Sequence, residues 1–470
     1  MPVARHCGMV STLQPLIAAH RFGLGEATLA TVGADATAWL LAQIGPADDQ
    51  RGNQLPTAAD GVRAQADFAR QRREAKAGDM RSGEQQFAEH FRAMVQADTR
   101  ARLVTAATTQ RPFAERLSLF WCNHFTVSMA KAPVRGLVGA FEREAIRPHI
   151  AGSFETMLKA AVQHAAMLRY LDNDQSAGPQ SRYVRLRSAR ALDSGAQGPR
   201  ITGLNENLAR EVLELHTLGV DGGYTQADVT AFAAVLTGWR VPVREVIEGA
   251  STAVRFDPSW HEPGAKTVLG KRYAEGPQAL DAVLHDLALH PSTARFIATK
   301  LARHFVDDTP PPALVARLQA NFIASGGDLA ALSRTLVASP EAWAPGMPKL
   351  KTPEEFVVST VRLLGLGEQA FARQPDAGIA GLGQRVQAAP SPAGWPDRAE
   401  EWLGPDAVWK RIEWATRVAD RTGRQTDARA LAQASLGPGF SEASTRQVQR
   451  AADGPQALAL LLLAPEFQRR

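Results

Sequence analysis

Residues 205–222 read NENLAREVLELHTLGVDG and carry the densest set of polar side chains in this 470-residue sequence. At about 100° per residue, a helix here would separate them into two arcs. The polar arc holds Glu206, Asn207, Arg210, Glu211, Glu214 and Thr217, and the opposite arc holds Leu208, Ala209, Val212, Leu213, Leu215 and His216. Periodicity alone favours an amphipathic helix with a solvated face, and the carboxylates and imidazole also fit acid–base chemistry.

A divalent metal site is a further interpretation, because carboxylates and imidazole together suit such an ion. The spacing opposes it, since His216 would lie about 140° from Glu211 and about 160° from Glu214 around the helix. Further ligands, for example His124 or His261, would have to be brought in by folding. The identity of any metal or cofactor therefore stays open.

A second candidate lies at the end of a helix that we expect to begin at Pro112. One face of this helix carries Phe113, Leu117, Phe120 and His124. A histidine on an apolar face is usually a core residue, yet helix ends next to loops often carry functional side chains. Asn123 and His124 are therefore kept as candidate site residues.

The same polar side chains also allow a purely structural interpretation. Arg210 and its neighbouring glutamates would form a buried ion-pair network, and Asn205 and Asn207 would bond to loop backbone. Asp228 follows Thr225 by three residues, which predicts a capping box. In this alternative the chain is a non-catalytic helical scaffold.

Composition favours a mainly α protein, since alanine and leucine dominate, only 4 tyrosines occur and runs of β-branched residues are scarce. The formal charge of +5 comes from 53 basic and 48 acidic residues without a basic stripe, so we expect no nucleic-acid partner. Two distant cysteines support neither a disulfide framework nor a thiolate metal site. The first twenty residues lack a signal-peptide core and the longest apolar run covers residues 457–464, which predicts a cytoplasmic chain without a membrane span.

We expect stacked helical hairpins, because helix, proline, helix patterns recur around Pro291, Pro340 and Pro465. One small β-hairpin is predicted near residues 253–270, with residues 253–256 and 266–269 as its strands. The stretch between Asp174 and Arg200, rich in arginine, glycine and serine, is predicted to be a long and disordered basic loop.

These patterns divide the chain into three parts, which we expect to form one continuous domain. They are an N-terminal helical part at 1–200, a central part at 201–375 with the polar helix and hairpin, and a C-terminal part at 376–470. The last part opens with a Gly/Pro-rich loop at residues 378–397. Trp395 of this loop would anchor it on the core or line a pocket, and anchoring is the favoured interpretation.

Several ordered motifs resemble the bacterial family catalogued as domain of unknown function 1800 (DUF1800). The motifs are RFGLG at 21–25, WCNHF at 121–125, NENLARE at 205–211, LELHTLG at 213–219, YTQADV at 224–229, LTGW at 236–239, KTVLG at 266–270, KLKTPEE at 349–355, SPAGWP at 391–396 and PEF at 465–467, with Phe256, His261, His304 and Phe305 between them. The likeness extends over nearly the whole chain.

The resemblance implies a largely helical fold and gives no established reaction. It also implies a neighbouring gene for an alkaline-phosphatase/sulfatase-like protein, and frequent export. Two departures stand out: this sequence has no export signal, so an exported or periplasmic protein would need a longer N-terminus, and Ala165 stands where the family pattern leads us to expect proline.

The leading hypothesis is a polar pocket that binds a small polar ligand or ion and carries out hydrolytic or acid–base chemistry. Its expected catalytic residues are Glu211, Glu214, His216 and His124, and its expected ligand-binding residues are Asn123, Asn205, Glu206, Asn207, Arg210, Asp228, Trp239 and His261. The alternative hypothesis is the helical scaffold, acting as a partner of the alkaline-phosphatase/sulfatase-like protein.

Overall fold

The computed structural model describes residues 13–74, 83–194 and 204–470, and these are mainly helical, as the composition predicts. The helices of the first half are α1 (Ala36–Leu41), α2 (Ala58–Glu74), α3 (Gly83–His90), α4 (Arg92–Thr108), α5 (Pro112–His124), α6 (Val138–Phe141), α7 (Phe154–Val162), α8 (Ala165–Tyr170), α9 (Arg182–Ser194), α10 (Asn207–Glu211) and α11 (Gln226–Leu236). Those of the second half are α12 (Val243–Ile247), α13 (Gln278–Ala288), α14 (Pro291–Phe305), α15 (Pro312–Ala324), α16 (Leu329–Ala338), α17 (Pro353–Leu363), α18 (Pro405–Thr422), α19 (Ala428–Ser435), α20 (Glu442–Gln449), α21 (Gly454–Leu463) and α22 (Pro465–Gln468).

Short helical turns of other pitch connect these elements. The π-helical turns are Ala18–Phe22, Glu142–Ile146 and Val212–Thr217. The 3₁₀ turns are Leu29–Thr31, Ala132–Val134, Arg147–His149, Asn173–Gln175, Pro340–Trp343, Gly367–Phe371, Ile379–Leu382, Ala399–Trp402, Gly423–Gln425 and Gly437–Gly439.

Proline and capping residues set many helix starts, which confirms the sequence prediction. Pro112, Pro291 and Pro465 each occupy the first position of a helix, where the absent N–H costs nothing. Consecutive helices pack against each other as hairpins, for example α14 with α15 and α15 with α16. At the element where the family pattern suggests proline, Ala165 begins α8 and the side chain of His164 caps its N-terminus.

The strands differ in their pairing from the predicted single hairpin. β1 (Trp239–Arg240) pairs with β2 (Arg255–Phe256), whereas β3 (Lys266–Val268) pairs with β4 (Lys271–Tyr273). Leu269 and Gly270 both have positive φ, at 50° and 76°, which is the geometry of a two-residue hairpin turn. The tight turn therefore pairs β3 with β4. β2 pairs instead with β1, the strand that follows α11.

The prediction of a basic loop between Asp174 and Arg200 is wrong at residues 182–194. Residues 182–194 form α9, and residues 195–203 lie outside the described part of the chain. The side chain of Ser181 accepts a hydrogen bond from the Val184 backbone N–H, and Tyr183 stacks on Trp260 with ring centroids 3.8 Å apart. This local turn and tertiary stacking favour a helix that the arginine-rich composition did not reveal.

The polar helix of residues 205–222 is not one regular α-helix. α10 ends at Glu211 and the chain continues as the π-helical turn Val212–Thr217, in which the Thr217 hydroxyl donates to the Val212 carbonyl at 2.6 Å. The wider turn changes the phase of the side chains. Thr217 is buried as a consequence, so its placement on the solvated arc is wrong.

Two apolar cores lie in the described residues. The first contains side chains from Ile17 to Trp343, and the second combines α17, α18 and α21 with residues 103–107 of α4. The division of the chain into 1–200, 201–375 and 376–470 stays a prediction. No helix in the described ranges combines enough length with enough apolar character to cross a bilayer.

Candidate functional site

A cavity of about 320 Å³ lies where α5, α14 and the start of α17 meet residues 389–398. Apolar side chains from the first core, among them Phe120, Val138 and Phe141, form part of its wall. The charged part of the wall includes Arg102, Arg116, Glu142, Lys300, His304, Glu354, Glu355 and Asp397. So many ionisable groups around one cavity need an explanation in terms of structure or chemistry.

His304 and Asp397 form a hydrogen-bonded pair on this wall. Nδ1 of His304 lies 2.9 Å from Oδ2 of Asp397, and the imidazole is 13% exposed. Within the described residues, Nε2 of His304 has no hydrogen-bond partner. Burial lowers the pKa of His304, although Asp397 opposes the shift, so the ring is neutral at pH 7. With the proton on Nδ1, Nε2 holds a free lone pair.

Two cations hold Asp397 in its ionised form. Lys349 lies 3.4 Å from Oδ1 and also donates to the Asp397 carbonyl, while a guanidinium nitrogen of Arg470 lies 3.5 Å from Oδ1. Burial opposes ionisation, but His304, Lys349 and Arg470 together hold the pKa of Asp397 below its ordinary value. The carboxylate thus orients His304 and fixes its tautomer.

Lys300 lies one helical turn before His304 on α14, so the two side chains share one helix face. Burial lowers the pKa of Lys300 to about 8, Asp397 raises it and Arg303 lowers it further. Its Nζ lies 5.4 Å from the centroid of the Phe296 ring. The cation is therefore present at neutral pH beside His304.

A buried ion-pair network contributes Arg102, Glu142 and Glu354 to the cavity wall. Arg102 donates to Glu142 and to Glu354, in both cases at 2.7 Å, and the side chains of all three are less than 10% exposed. Arg147 joins Glu142 at 3.5 Å to Glu115 at 2.7 Å. Each carboxylate in this chain of contacts has a guanidinium partner, as buried charges require.

Glu355 serves two structural roles at the start of α17. Its Oε2 accepts from the Thr352 backbone N–H at 2.9 Å, completing a capping box with the Thr352 hydroxyl. The same carboxylate pairs with Arg116, and with Arg470 at 3.0 Å. Burial opposes ionisation, but the two guanidinium groups hold the pKa of Glu355 well below its ordinary value.

Asn123 ties α5 to the loop that carries Trp395. Its Nδ2 donates to the Trp395 carbonyl at 2.9 Å, and the Trp395 backbone N–H donates to its Oδ1 at 2.8 Å. Gly394 has φ +88°, and a Cβ there would lie 2.5 Å from the Asn123 carbonyl oxygen. Trp395 is held in this way and also lines the cavity, so it fulfils both of the roles considered for it.

Of the expected catalytic residues, His124 lines the cavity and His216 packs behind it. Nε2 of His124 lies 3.1 Å from the His216 carbonyl, and the ring centroids are 6.1 Å apart. Neither ring nitrogen of the buried His216 has a hydrogen-bond partner within the described chain. Burial lowers the pKa of His216 to about 3, and the charge of Lys300 contributes to the shift.

Glu211 and Glu214 do not line this cavity. Both are half-buried beside each other, and Glu214 accepts from the Tyr224 hydroxyl at 3.3 Å. Burial raises the pKa of Glu211, and Glu214 raises it further. Their expected catalytic role therefore stays a prediction, and the structure does not bring them together with the His304 pair.

The ligand-binding candidates around α10 lie at the surface. Glu206 accepts from Thr230 at 2.7 Å and from Gln226 at 2.8 Å, and its ion pair with Arg210 measures 3.3 Å. The Arg210 side chain is 41% exposed, so the prediction of a buried ion-pair network around it is wrong. Asn205 caps the turn before α10, since its Oδ1 accepts from the Asn207 backbone N–H.

Asp228, Trp239 and His261 each have structural partners. Asp228 completes the predicted capping box with Thr225 and also accepts from the Leu269 backbone N–H at 2.7 Å. Trp239 belongs to β1 and contacts the ring of Phe256. His261 has partners on both ring nitrogens, the Thr237 carbonyl at 2.8 Å and Lys266 Nζ at 3.1 Å.

No three His, Cys, Asp or Glu side chains within the described ranges are grouped so as to hold a metal ion. Cys122 lines the cavity as a free thiol, and burial, reinforced by Glu142, raises its pKa well above the ordinary value. A thiol in that state is a weak nucleophile. His304 is hydrogen-bonded to Asp397 and keeps a free lone pair on its other ring nitrogen. These two residues are therefore the part of the cavity wall that suits catalysis.

Sequence reasoning missed Lys300, His304 and Asp397 as site residues. His304 and the 349–355 segment are noticeable only as elements of the family pattern, and Asp397 only as the end of the Gly/Pro-rich loop. The spacing of Lys300 and His304, four residues apart on an otherwise amphipathic helix, is the signal that could have revealed them.

The fold and site define a helical protein with two apolar cores and a charged cavity beside an Asp–His pair. The chain belongs to the DUF1800 family, described as a protein of unknown function, whose model matches residues 17–469. Neither the curated proteins nor the solved structures contain a detectable match to the chain.

Proposed function

We propose that the cavity binds a small polar ester and that His304, oriented by Asp397, catalyses its hydrolysis as a general base. The observation that carries the proposal is the Nε2 lone pair of His304, which has no partner in the described chain although the ring is almost buried. A neutral imidazole held by a carboxylate on its other nitrogen is the arrangement used for proton transfer in many hydrolases.

The proton balance of such a step is simple. A water molecule adds its oxygen to the acyl carbon or phosphorus of the ester, and its proton passes to Nε2 of His304. The imidazolium, stabilised by Asp397, then returns the proton to the departing oxygen. Because burial lowers the pKa of His304, the ring starts each cycle in the neutral form that can accept the proton.

The test compares His304→Gln with the wild-type protein on chromogenic p-nitrophenyl esters, both acetate and phosphate. We expect the variant to lose about 100-fold or more in turnover, the scale of general-base catalysis. His285→Gln is the matched control, because it removes an imidazole paired with a carboxylate at 2.9 Å that is 52% exposed and lies outside the cavity. Equal turnover by wild type and His304→Gln, or no turnover of either ester, would contradict the proposal.

A second candidate function is the non-catalytic scaffold, acting as partner of an alkaline-phosphatase/sulfatase-like protein. The mutual pairing of Arg102, Glu142 and Glu354 favours it, since buried ion pairs that satisfy each other need no ligand. Under this proposal Arg102→Met lowers stability, whereas His304→Gln changes neither stability nor turnover. Thermal unfolding of the two variants, measured beside the ester assay, separates the two functions.

A further inference from the structure

Lys300 and Arg303 are cations of the cavity wall that take part in no ion pair within the described residues, and Arg303 donates instead to the Asp308 carbonyl at 3.4 Å. Arg102 and Arg116 are each bonded to glutamate, and Arg398 lies 3.6 Å from Glu400. Lys300, in contrast, has no carboxylate within ion-pair distance and no hydrogen-bond acceptor among the residues that the structure describes. Its Nζ is therefore available to a molecule inside the cavity.

The surroundings of Lys300 do not neutralise it. The histidines whose pKa values its charge helps to lower, His124 and His216, are buried and neutral. Asp397 raises the pKa of Lys300, but this carboxylate is already shared by His304, Lys349 and Arg470. The charge of Lys300 thus has no carboxylate of its own among the described residues, on the same helix that carries the proposed base.

From this geometry we infer that the ligand carries an oxyanion, a carboxylate or a phosphate group, which Lys300 binds directly. The inference rests on the proposed function and deepens it, because it names the class of ester. Lys300 and His304 are four residues apart on α14, so their Cβ atoms lie about 5–6 Å apart. An oxyanion on Lys300 would place the neighbouring atoms of a small ligand within reach of Nε2.

A charge-assisted hydrogen bond of this kind contributes enough to be measured as an affinity difference. The wild-type protein is titrated by calorimetry with acetate and, separately, with inorganic phosphate, which distinguishes a carboxylate site from a phosphate site. Lys300→Met should weaken binding of the preferred anion about tenfold or more. Lys300→Arg, which keeps the charge, should retain most of the affinity.

Lys271→Met is the matched control, because Lys271 lies in β4 with its side chain 61% exposed and pairs with Asp286. Circular dichroism confirms that each variant folds, and Lys300→Gln replaces Lys300→Met if the latter does not. Binding of either anion with loss in the Lys300 variant supports the inference. Absence of binding by both anions, or equal affinity of wild type and the Lys300 variant, overturns it.

The failure of this inference is distinguishable from the failure of the proposed function. His304→Gln keeps Lys300, so it should bind the anion as the wild type does while losing turnover of the ester. Lys300-dependent binding with undiminished turnover by His304→Gln would refute the base and leave the anion site. Turnover that requires His304, with anion affinity independent of Lys300, would refute the anion site and leave the base.

Discussion

At the scale of single residues, Gly394 shows how closely the cavity loop is fitted to α5. Its backbone adopts φ +88°, and an added Cβ would lie 2.5 Å from the Asn123 carbonyl oxygen and 2.7 Å from Oδ1. Both atoms belong to the residue that holds Trp395 through two hydrogen bonds. Any side chain at this position would push the loop away from the helix.

We predict that Gly394→Ala destabilises the protein by more than Gly383→Ala. Gly383 has φ +97° and open space around a Cβ, so its substitution adds only backbone strain, about 1–2 kcal/mol. The overlap with Asn123 adds about 1–3 kcal/mol at Gly394. Urea unfolding of the two variants checks the difference, and equal loss of stability would show that the loop is free to shift.

The pH dependence of ester turnover is a second prediction at this scale. The base must be neutral, so activity should fall as pH decreases through the pKa of His304, which burial holds below 6.5. The cation must be protonated, so substrate binding should weaken as pH rises through the pKa of Lys300, near 8. A bell-shaped profile of kcat/KM is expected, and a flat alkaline limb would argue against Lys300.

Part of this site could be predicted from the sequence, because local patterns mark some of its residues. Asn123 and His124 stand at a helix end, and both line the cavity. Lys300 and Asp397 are nearly 100 residues apart, and their proximity depends on how α14 packs against the C-terminal loop. No periodicity within either segment contains that information.

At the scale of elements, the start of α17 joins a helix cap to the buried charges. Glu355 accepts from the Thr352 backbone and also pairs with Arg116 and Arg470. Asp228 forms the equivalent capping box on α11, with no guanidinium partner among the described residues. The two helix starts therefore provide a natural comparison of a cap alone with a cap that is also an ion-pair centre.

We predict that Glu355→Gln costs about 3–5 kcal/mol, because it leaves Arg116 buried without its carboxylate partner and leaves Arg470 with only the 3.5 Å contact to Asp397. Asp228→Asn should cost about 1 kcal/mol, the ordinary value of a lost cap interaction. Chemical denaturation of both variants gives the two free energies of unfolding. Similar losses would mean that the guanidinium groups near Glu355 find solvent or other partners.

The sequence predicted element starts better than element geometry. Pro112, Pro291 and the Thr225 capping box mark helix starts by local chemistry, and the structure confirms them. The π-helical turn at Val212–Thr217 has no such mark, because its backbone depends on the packing of Thr217 and His216 in the core. The change of phase explains why the arc predicted for Thr217 is wrong.

At the scale of the whole molecule, buried ion pairs connect the two apolar cores. Arg102 of α4 links Glu142, next to the first core, with Glu354 at the start of α17 in the second. The mainly helical class followed from composition, but this arrangement did not. Leu16, Leu24 and residues 103–107 join a core whose other members lie at Phe356 and beyond, and such long-range pairing leaves no trace in local patterns.

We predict that global stability falls as pH drops below about 4.5, the ordinary glutamate range. Burial opposes the ionised form of Glu142, but Arg102 and Arg147 hold its pKa below the ordinary value, and Glu355 behaves likewise. Groups of this kind bind protons more readily in the unfolded chain, so their stabilising contribution is complete above the unfolded pKa and is lost on acidification. Denaturant midpoints from neutral to acid pH measure the fall.

Glu142→Gln is the control for this pH dependence. It should be less stable than the wild type at pH 7 and should lose less stability on acidification, because one of the carboxyl groups with a lowered pKa is gone. A parallel fall in both proteins would assign the acid sensitivity to other groups.

Because the cavity lies between the two cores, a ligand bound there should raise the stability of the whole molecule. Val138 and Phe141 on one wall belong to the first core, and Glu354 and Glu355 on another begin the helix of the second. A molecule seated there would touch both halves and would raise the melting temperature in proportion to the logarithm of its concentration. A melting screen of small carboxylates and phosphates can therefore find the natural ligand before any reaction has been observed.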